Sequence, residues 1–461
     1  MFELDLRKYG TLFQDYGELR LHKNSDSWIN LMNGDVQSNS SRSSQGVSVR
    51  TGRGGIWGFA SSGETSDQAI RECFSDAQDR FNWLGSKQKR ELPALSGETW
   101  TGEYLNRARN SQMKASEKIN FLKDLDNYLS RNFQNLSMRN LSLYCSDVEK
   151  KYINSAGGYF HVNRPLYSLV INIVTNKSGE PISLYDVITE AGYAEDNLGS
   201  PEKYYSKLDQ LYEHLRKKNE GVYAQTGIHD VVLDADLAGI LSHEAIGHTT
   251  EADIVLKGSV AGDLLGEKVA SELVTLVDIA HTYDNKPCLV PVYVDDEGIK
   301  GEDAVIIENG ILHNFMHNRA TAQKLGMKPQ GNARAYSYTD EPLVRMRNTM
   351  ILPGKSKIED MIASVENGYY LIRSSNGQAD STSEFMFGVV LGYEIKKGKL
   401  GRAIKDTTIS GVAYDVLKSI TAISDEYKFN SGTCGKKQQI SVGMGGPAIR
   451  CRVNIGGKSE E

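Results

Sequence analysis

Residues 234–253 read DADLAGILSHEAIGHTTEAD, and this stretch carries most of the structural information in the chain. Its apolar residues recur at three- and four-residue spacing, which predicts a helix that we expect Asp236 to cap. His243 and His248 follow towards the end of that helix. They are five positions apart, whereas the common helical zinc motif separates its two histidines by four.

The spacing of the two histidines decides whether they can share a metal ion. On an ideal helix, residues four apart differ by about 40° around the axis and residues five apart by about 140°. A regular helix therefore could not present both side chains to one ion. Gly247 allows the helix to end or widen just before His248, which would turn that ring back towards His243. The alternative is that the histidines only finish a buried helix and that Glu244 is a surface charge.

A catalytic zinc site needs a third protein ligand, because it holds three ligands and keeps one position for water. Spacing does not select among the other residues that could complete the site: Cys434, Glu251, Asp253, His281, His313 and His317. The last three are interpreted as ordinary surface or packing histidines.

The rest of the chain alternates helical and strand patterns. Short apolar runs separated by Asn-Gly and Gly-Gly predict an antiparallel meander in the first sixty residues. Helices are predicted after Ser66, over 116–129 and over 201–218, and LVPVYVDD at 289–296 is among several later runs that predict strands. No regular βαβ order is present. We therefore expect an α+β fold with mixed or antiparallel sheets and packed helices, strand-rich in its C-terminal half.

A chain of 461 residues is longer than one ordinary core. We place a domain boundary after the third of those helices. Residues 1–224 would then form an N-terminal α+β domain, a possible platform for substrate or partner. Residues 225–461 would form the C-terminal domain with the histidines.

Composition excludes several classes of partner. The net charge of −6 and the pI near 5.9 argue against direct binding to nucleic acid, which calls for clustered Lys and Arg. No apolar run is long enough to span a membrane, and the N-terminus has no export signal. The five cysteines are scattered without a Cys-x-x-Cys pair, which is typical of a reducing compartment. We therefore expect a cytoplasmic protein.

Two further motifs carry no site. LPGKS at 352–356 ends like a phosphate-binding loop but lacks the first glycine of that motif. The acidic run at 295–298 lacks the alternating carboxylates of a calcium loop and is interpreted as a hairpin turn.

Three longer runs resemble a known family: HEAIGHTTEAD (243–253), GEKVASELVTLVD (266–278) and TCGKKQQISVGMGGPAI (433–449). They are similar to the TldD branch of the TldD/PmbA family of metallopeptidases. The resemblance covers about 231–457 and is weaker before it. The sister branch, TldE or PmbA, lacks the histidine motif that this chain keeps.

The resemblance implies a zinc ion held by His243, His248 and Cys434, with Glu244 as the general base for hydrolysis of peptide bonds. Thiolate and imidazole are ligands that suit zinc. It also implies unfolded peptides or proteins as substrates. The expected partner is a TldE/PmbA-like chain or a second copy of this one.

Two other functions stay open at this point. The family has been described as modulators of DNA gyrase, so the chain could be a regulatory protein whose zinc is structural. It could also be a hydrolase that uses the same water on substrates other than peptides.

Overall fold

The first part of the chain forms one β-sheet in the computed structural model, which describes residues 2–87, 99–177 and 180–457. Its strands are β1 (Tyr16–Met32), β2 (Asp35–Arg53), β3 (Ile56–Ser62), β4 (Thr101–Tyr104), β5 (Leu136–Asn154), β6 (Tyr159–Lys177) and β7 (Glu180–Ala191). The order is β3-β2-β1-β5-β6-β4, and β7 pairs with a later part of β6. Among the described strands of this sheet, only β4 runs parallel to its neighbour.

The meander predicted at the start of the chain is confirmed. β1, β2 and β3 pair in sequence as antiparallel neighbours. Asn33 and Gly34 connect the first two strands, and both have positive φ angles, 51° and 85°. This is the backbone that an Asn-Gly hairpin turn requires.

Helices cover one face of this N-terminal sheet. They are α1 (Asp67–Gly85), α2 (Ala115–Asn132), α3 (Ala194–Asn197) and α4 (Tyr205–Asn219), with 3-10 turns at Leu6–Leu12 and Pro201–Tyr204. Ser66 caps α1, since its side chain accepts a hydrogen bond from the Ala69 N–H at 3.2 Å. The apolar stripes of α2 and α4 are buried against the sheet. The three helices predicted from periodicity are thus confirmed.

The second sheet has eleven strands. The strands after residue 224 are β8 (Gly227–Leu233), β9 (Leu276–Ile279), β10 (Thr282–Tyr283), β11 (Lys286–Pro287), β12 (Ala304–Glu308), β13 (Ile311–Leu312), β14 (Ala333–Arg334), β15 (Leu343–Val344), β16 (Asn348–Ile351), β17 (Asn367–Ala379), β18 (Glu384–Lys396), β19 (Lys399–Ile404), β20 (Thr407–Val412), β21 (Ala422–Lys436) and β22 (Gln438–Gly456). β10–β11 and β14–β15 form separate pairs, and the other strands follow the order β13-β12-β9-β16-β22-β20-β18-β17-β8, with β19 on β18 and β21 on β22. β8 also pairs with β22, so the last five strands of this path close into a ring.

Short helices connect these strands. They are α5 (Ala235–Ile240), α6 (Ala252–Val255), α7 (Arg319–Leu325), α8 (Ile358–Ala363) and α9 (Ala413–Lys418), together with 3-10 turns at His248–Thr250 and Val260–Leu264 and a π-helix at Leu241–Gly247. The α+β prediction, with mixed and antiparallel sheets and a strand-rich second half, is confirmed. The boundary between 224 and 225 stays a prediction. Within the described ranges, no helix has the length and apolarity that a membrane crossing needs.

The strand predicted for LVPVYVDD is wrong. Residues 289–296 form an irregular segment whose valines point inward without joining a ladder. Val290 donates its N–H to the Asn348 side chain at 3.0 Å, and Val292 donates to the Ala280 carbonyl at 2.7 Å. Because side chains and single carbonyls satisfy this backbone, alternation of apolar residues did not require a strand.

The acidic run at 295–298 forms the predicted hairpin turn, which an antiparallel bridge between Val294 and Lys300 closes, and its carboxylates are buried between the two sheets. Arg50, on the N-terminal sheet, contacts Glu18 at 2.8 Å and Glu297 at 2.6 Å, and all three side chains are at most 5% exposed. Asp296 likewise binds Lys150 of β5 at 2.7 Å. These ion pairs fix the C-terminal segment against the inner face of the N-terminal sheet, the face without helices.

Candidate metal centre

The helix that carries the histidines begins where β8 ends. Asp234 is its N-cap, and the Ala238 N–H donates to the Asp234 carbonyl at 2.9 Å. The prediction that Asp236 caps the helix is wrong. The Asp236 carboxylate instead accepts a hydrogen bond from the Asn430 side chain at 2.8 Å, which ties the helix to β21.

A widened turn brings the two histidines together. α5 passes into a π-helix, Leu241–Gly247, in which the His248 N–H donates to the His243 carbonyl five residues earlier. In this wider turn, residues five apart lie nearly above one another along the helix axis, whereas in a regular α-helix they would be about 140° apart around it. The two ring centroids are 5.2 Å apart. Of the two alternatives left open by the spacing, this is the one in which His248 turns back towards His243.

Packing at Gly247 favours this turn. A Cβ atom at this position would lie 2.0 Å from the Met346 sulfur, so only glycine fits against this buried side chain. The hydroxyl groups of Thr249 and Thr250 each donate to the Ile246 carbonyl at 2.9 Å. They satisfy a main-chain acceptor where the regular helical pattern is interrupted.

Cys434 lies next to these rings although it is 186 residues from His248 in the chain. It sits on β21, and its sulfur is 3.2 Å from the His248 Nε2. One donor atom from each of His243, His248 and Cys434 lies within 4.8 Å of the other two, and within residues 2–87, 99–177 and 180–457 no other group of His, Cys, Asp and Glu meets this criterion. Three soft or borderline donors at this separation fit a tetrahedral zinc ion with one position free for another ligand.

His243 gives the strongest indication that an ion belongs here. Its side chain is 1% exposed, and neither ring nitrogen has a hydrogen-bond partner among the described residues. Burial and the positive charges of His248, Arg345 and Arg334 hold the pKa of His243 well below its usual range, so the ring is neutral. A buried imidazole without partners is costly, and a neutral imidazole is the form that binds metals. The residues present therefore fit a zinc ion.

A carboxylate orients the second histidine. Glu251 Oε2 lies 3.0 Å from His248 Nδ1, which leaves Nε2 directed at Cys434. Lys436 in turn contacts Glu251 at 3.2 Å and Asp253 at 2.9 Å. Carboxylates in this position fix the orientation of metal-binding histidines and raise their basicity. Burial disfavours the charged form of His248, but hydrogen bonds with Cys434 and Glu251 outweigh it and raise the pKa of His248 to about 10.

Glu244 lies at the open side of the cluster. One carboxylate oxygen is 3.7 Å from His248 Nε2 and the other is 4.0 Å from His243 Nε2. The side chain is 27% exposed and so remains accessible from outside. Partial burial raises the pKa of Glu244, although His248 opposes the shift. A carboxylate with a raised pKa near a metal site suits proton transfer close to neutral pH.

The other candidates for a third ligand lie outside the cluster. Glu251 and Asp253 are engaged by His248 and Lys436. His281 stacks on Tyr293, and the His317 ring contacts Thr321 and Met327, while His313 is exposed.

Arg345 supports the strand that carries Cys434, and sequence reasoning missed it. Its fully buried guanidinium donates to the carbonyls of Cys434 at 2.6 Å and Gln438 at 2.8 Å, so it clamps the β21–β22 hairpin from within. Nothing in the local sequence around Arg345 could have indicated this contact with a distant hairpin. Lys436, which was likewise not singled out, follows Cys434 by two positions on the same strand.

Models of one protein family match three parts of the sequence. A model of the PmbA/TldA metallopeptidase C-terminal domain matches residues 226–457. Models of domain 1 and of the central domain of the same metallopeptidases match residues 17–79 and 109–207. The three matches follow the order of the chain and together include every residue of the cluster.

Relatives and solved structures agree with this result. The chain is 32% identical to a metalloprotease TldD homolog of Buchnera aphidicola, over 96% of this chain and 93% of the relative. It is 28% identical to a zinc metalloprotease TldD homolog of Saccharolobus solfataricus, over 90% of both. Its fold is similar to TldE from Thermococcus kodakarensis (TM-score 0.75, 18% identity, 98% of each chain). It is also similar to a Thermotoga maritima protein named as a candidate modulator of a DNA gyrase (TM-score 0.76, 20% identity, 95% and 96%). At such identities these two structures show the fold alone.

Proposed function

The chain belongs to the PmbA/TldD family of metallopeptidases, and on this basis we propose that it is a zinc-dependent peptidase of the TldD type. His243, His248 and Cys434 would hold the ion, and peptide bonds of unfolded proteins or peptides would be its substrates. The buried His243 ring, with both nitrogens unpartnered among the described residues, is the observation that carries the proposal. If His243 had only a packing role, nothing would offset the free-energy cost of burying its two ring nitrogens.

The ion would polarise the scissile carbonyl and acidify the attacking water. Glu244 is the general base in this proposal: it accepts the proton of the water and returns it to the leaving amine nitrogen. Its distances of 3.7 Å and 4.0 Å from the histidine nitrogens support this role. Glu251 holds the His248 ring in position and takes no part in proton transfer.

Substrate would bind along β21, the strand that carries Cys434. Within the described residues, β21 pairs with β22, and its other edge makes only one isolated bridge, between Ser424 and Ser356 near the start of the strand. Beside Cys434, that edge has no strand partner among these residues. An extended peptide can add to such an edge through main-chain hydrogen bonds, which select an unfolded backbone with little preference for side chains. This mode of binding supports peptides and unfolded proteins as the substrate class.

A TldE/PmbA-like chain, or a second copy of this one, is the partner that we propose, and the cytoplasm is the proposed compartment. The similarity of the fold to TldE supports the first point. The second is supported by the five free cysteines, one of which must stay reduced to bind zinc. Light scattering of the purified chain, alone and mixed with such a partner, tests the assembly.

Metal content and hydrolysis test the function together. About one zinc per chain is expected by elemental analysis, with loss of most of it in Cys434→Ala and His248→Ala. Glu244→Gln should keep the zinc and lose most cleavage of an unfolded protein. If Glu244→Gln retains full activity, the hydrolytic role of this carboxylate is wrong. If zinc is retained but no peptide, ester or amide is cleaved, with or without a partner, the ion is structural and the chain is a binding protein.

A further inference from the structure

A small cavity, lined by charged and apolar side chains, lies between the inner face of the N-terminal sheet and the C-terminal domain. Lys150 and Arg164 line it from β5 and β6, and Asp295, Asp296 and Arg334 line it from the other side. We call it the arginine pocket. Its volume is about 40 Å³. Because one water molecule needs at least about 10–15 Å³ on this scale, the pocket can take a group of a few atoms, such as a carboxylate, but not a large side chain.

The positive charge around the arginine pocket exceeds the negative charge. Asp296 is already shared by Lys150 at 2.7 Å and by Arg20 at 3.3 Å. The Asp295 carboxylate is surrounded by main-chain donors: it accepts from the N–H groups of Glu297, Ile299 and Ala333, each at 2.9 Å. Asp296 acts on the two arginines only through its charge at a distance, and neither acid forms an ion pair with them.

Arg164 and Arg334 have no carboxylate within 4.0 Å in the described parts of the chain. Arg334 is only 3% exposed, and its terminal nitrogens donate to the neutral carbonyls of Met346 and Ser441, at 2.5 and 2.8 Å. Burial, with the charges of Arg164 and Arg345, lowers the pKa of Arg334 well below its usual range. A buried guanidinium without a counter-ion is costly, and an anion beside it would offset that cost.

On the C-terminal wall of the pocket, the contacts of Arg334 lead towards the candidate metal centre. Ser441, which accepts from Arg334, lies on β22 opposite the residue that precedes Cys434. Neighbouring strands are about 5 Å apart, so the Arg334 guanidinium lies within roughly 10 Å of Cys434. Met346, the other acceptor, packs on Gly247 between the two histidines.

The opposite wall of the pocket is also connected to β21, the strand that carries Cys434. Arg164 and Ser168 share one face of β6, since they are four positions apart. The Ser168 hydroxyl is 2.9 Å from that of Thr189, which accepts from Ser431 at 3.0 Å, three residues before Cys434. Contacts therefore connect both walls of the pocket to β21, through Ser431 on one side and Ser441 on the other.

We infer that Arg164 and Arg334 bind a carboxylate of the peptide substrate beside the metal centre. The inference rests on the proposed peptidase function and narrows its substrate class to peptides that place an acidic group in the arginine pocket. That group is either the C-terminal carboxylate or an Asp or Glu side chain. Guanidinium groups match the planar carboxylate and form charge-assisted hydrogen bonds with it.

Binding without turnover tests the inference. Zinc-loaded full-length Glu244→Gln is titrated against a fluorescent peptide of neutral residues with a free C-terminus, against its C-terminal amide, and against the amide with one internal Asp. Hydrogen bonds to charged groups predict about 10- to 100-fold tighter binding, by anisotropy, for a peptide whose acid reaches the pocket. A preference for the free C-terminus identifies the chain end as ligand, and a preference for the Asp peptide identifies the side chain.

In the same background, Arg164→Gln should reduce the preference for acid over amide to less than about threefold, and Arg164→Lys should keep part of it. Arg71→Gln is the matched control, because Arg71 is exposed on α1, across the sheet. Thermal melting verifies that the variants fold. Equal affinity for all three peptides, or an unchanged preference in Arg164→Gln, would overturn the inference. Neither outcome depends on cleavage. If the protein cleaves peptides but binds all three equally, only the carboxylate pocket is wrong. If it prefers the acidic peptide but never cleaves, only the peptidase proposal is wrong.

Discussion

Gly247→Ala should damage the metal centre through a single methyl group. The backbone of Gly247 is helical (φ −55°, ψ −51°), so alanine meets no conformational barrier. Its Cβ would lie 2.0 Å from the Met346 sulfur, 3.2 Å from Cε and 3.3 Å from Cγ. Met346 is fully buried, and its carbonyl accepts from Arg334. The Met346 side chain therefore cannot move out into solvent. It also cannot shift inside the protein without disturbing its own main chain.

The expected cost follows from these contacts. Non-bonded atoms prefer about 3.5–4.0 Å, so the sulfur must move by roughly 1.5 Å. Overpacking of this kind costs about 1–3 kcal/mol, while alanine gains up to about 1 kcal/mol in a helix over glycine. We expect a net loss of about 1–2 kcal/mol in the free energy of unfolding of the metal-free protein. The π-turn would shift with it and weaken zinc binding at least about tenfold, because a displaced His248 no longer faces His243.

A double-mutant cycle isolates the contact. Urea denaturation with chelator present gives the stability of Gly247→Ala, Met346→Ala and the double variant, and competition with a chromophoric chelator gives zinc affinity. Met346→Ala alone creates a cavity, yet it makes room for the new methyl group. The two changes should therefore couple favourably by about 1–3 kcal/mol. If Gly247→Ala is as stable as wild type and binds zinc equally, or if the coupling is near zero, the argument from packing is wrong.

Three further variants test other contacts. Arg345→Met should lower zinc affinity by more than tenfold in chelator competition, because the carbonyl of Cys434 loses its buried donor; unchanged affinity would contradict the clamp. Glu251→Gln should weaken zinc binding about 10- to 100-fold by releasing His248, and a smaller change than in a surface Glu→Gln control would contradict its orienting role. Burial alone would raise the pKa of Asp296, but its two cationic partners outweigh it and hold that pKa below the usual range. Its contribution is therefore present above about pH 4 and is lost as the pH falls further. Asp296→Asn should cost about 3–5 kcal/mol at pH 7 in urea titrations, with the difference from wild type shrinking below pH 4; a pH-independent difference would contradict this.

The histidine segment shows what the sequence could predict. The angular argument alone required the chain to leave the regular helix before His248 if both rings were to meet, and Gly247 was the residue that could permit it. The π-turn agrees with that prediction. The cap was misassigned because two aspartates stand two positions apart, and the contact of Asp236 with Asn430 depends on a strand almost two hundred residues away.

Long-range contacts account for the remaining gaps. Spacing could not choose Cys434 over Glu251, because one meets His248 from a distant hairpin and the other from the next turn. Only the resemblance to a family selected it, and its role as ligand stays a prediction. The turn at 295–298 could be predicted from the sequence, but its burial could not, because charged residues are usually exposed. Its cationic partners, such as Arg50, lie on the other sheet, and no local pattern indicates them.

The histidine helix and Cys434 are both fixed to β22, so the metal-binding groups are arranged before an ion binds. α5 packs so closely on β22 that a Cβ at Gly239 would lie 3.0 Å from the Gly445 nitrogen. Arg345 fixes Cys434 to the start of the same strand. The histidine pair and the thiol are therefore held at their separation by the fold and not by an ion. Metal-binding side chains that are already in position lose little conformational entropy when the ion binds. Zinc affinity should therefore depend more on the contacts of Gly239 and Arg345 than on the flexibility of the histidine and cysteine side chains.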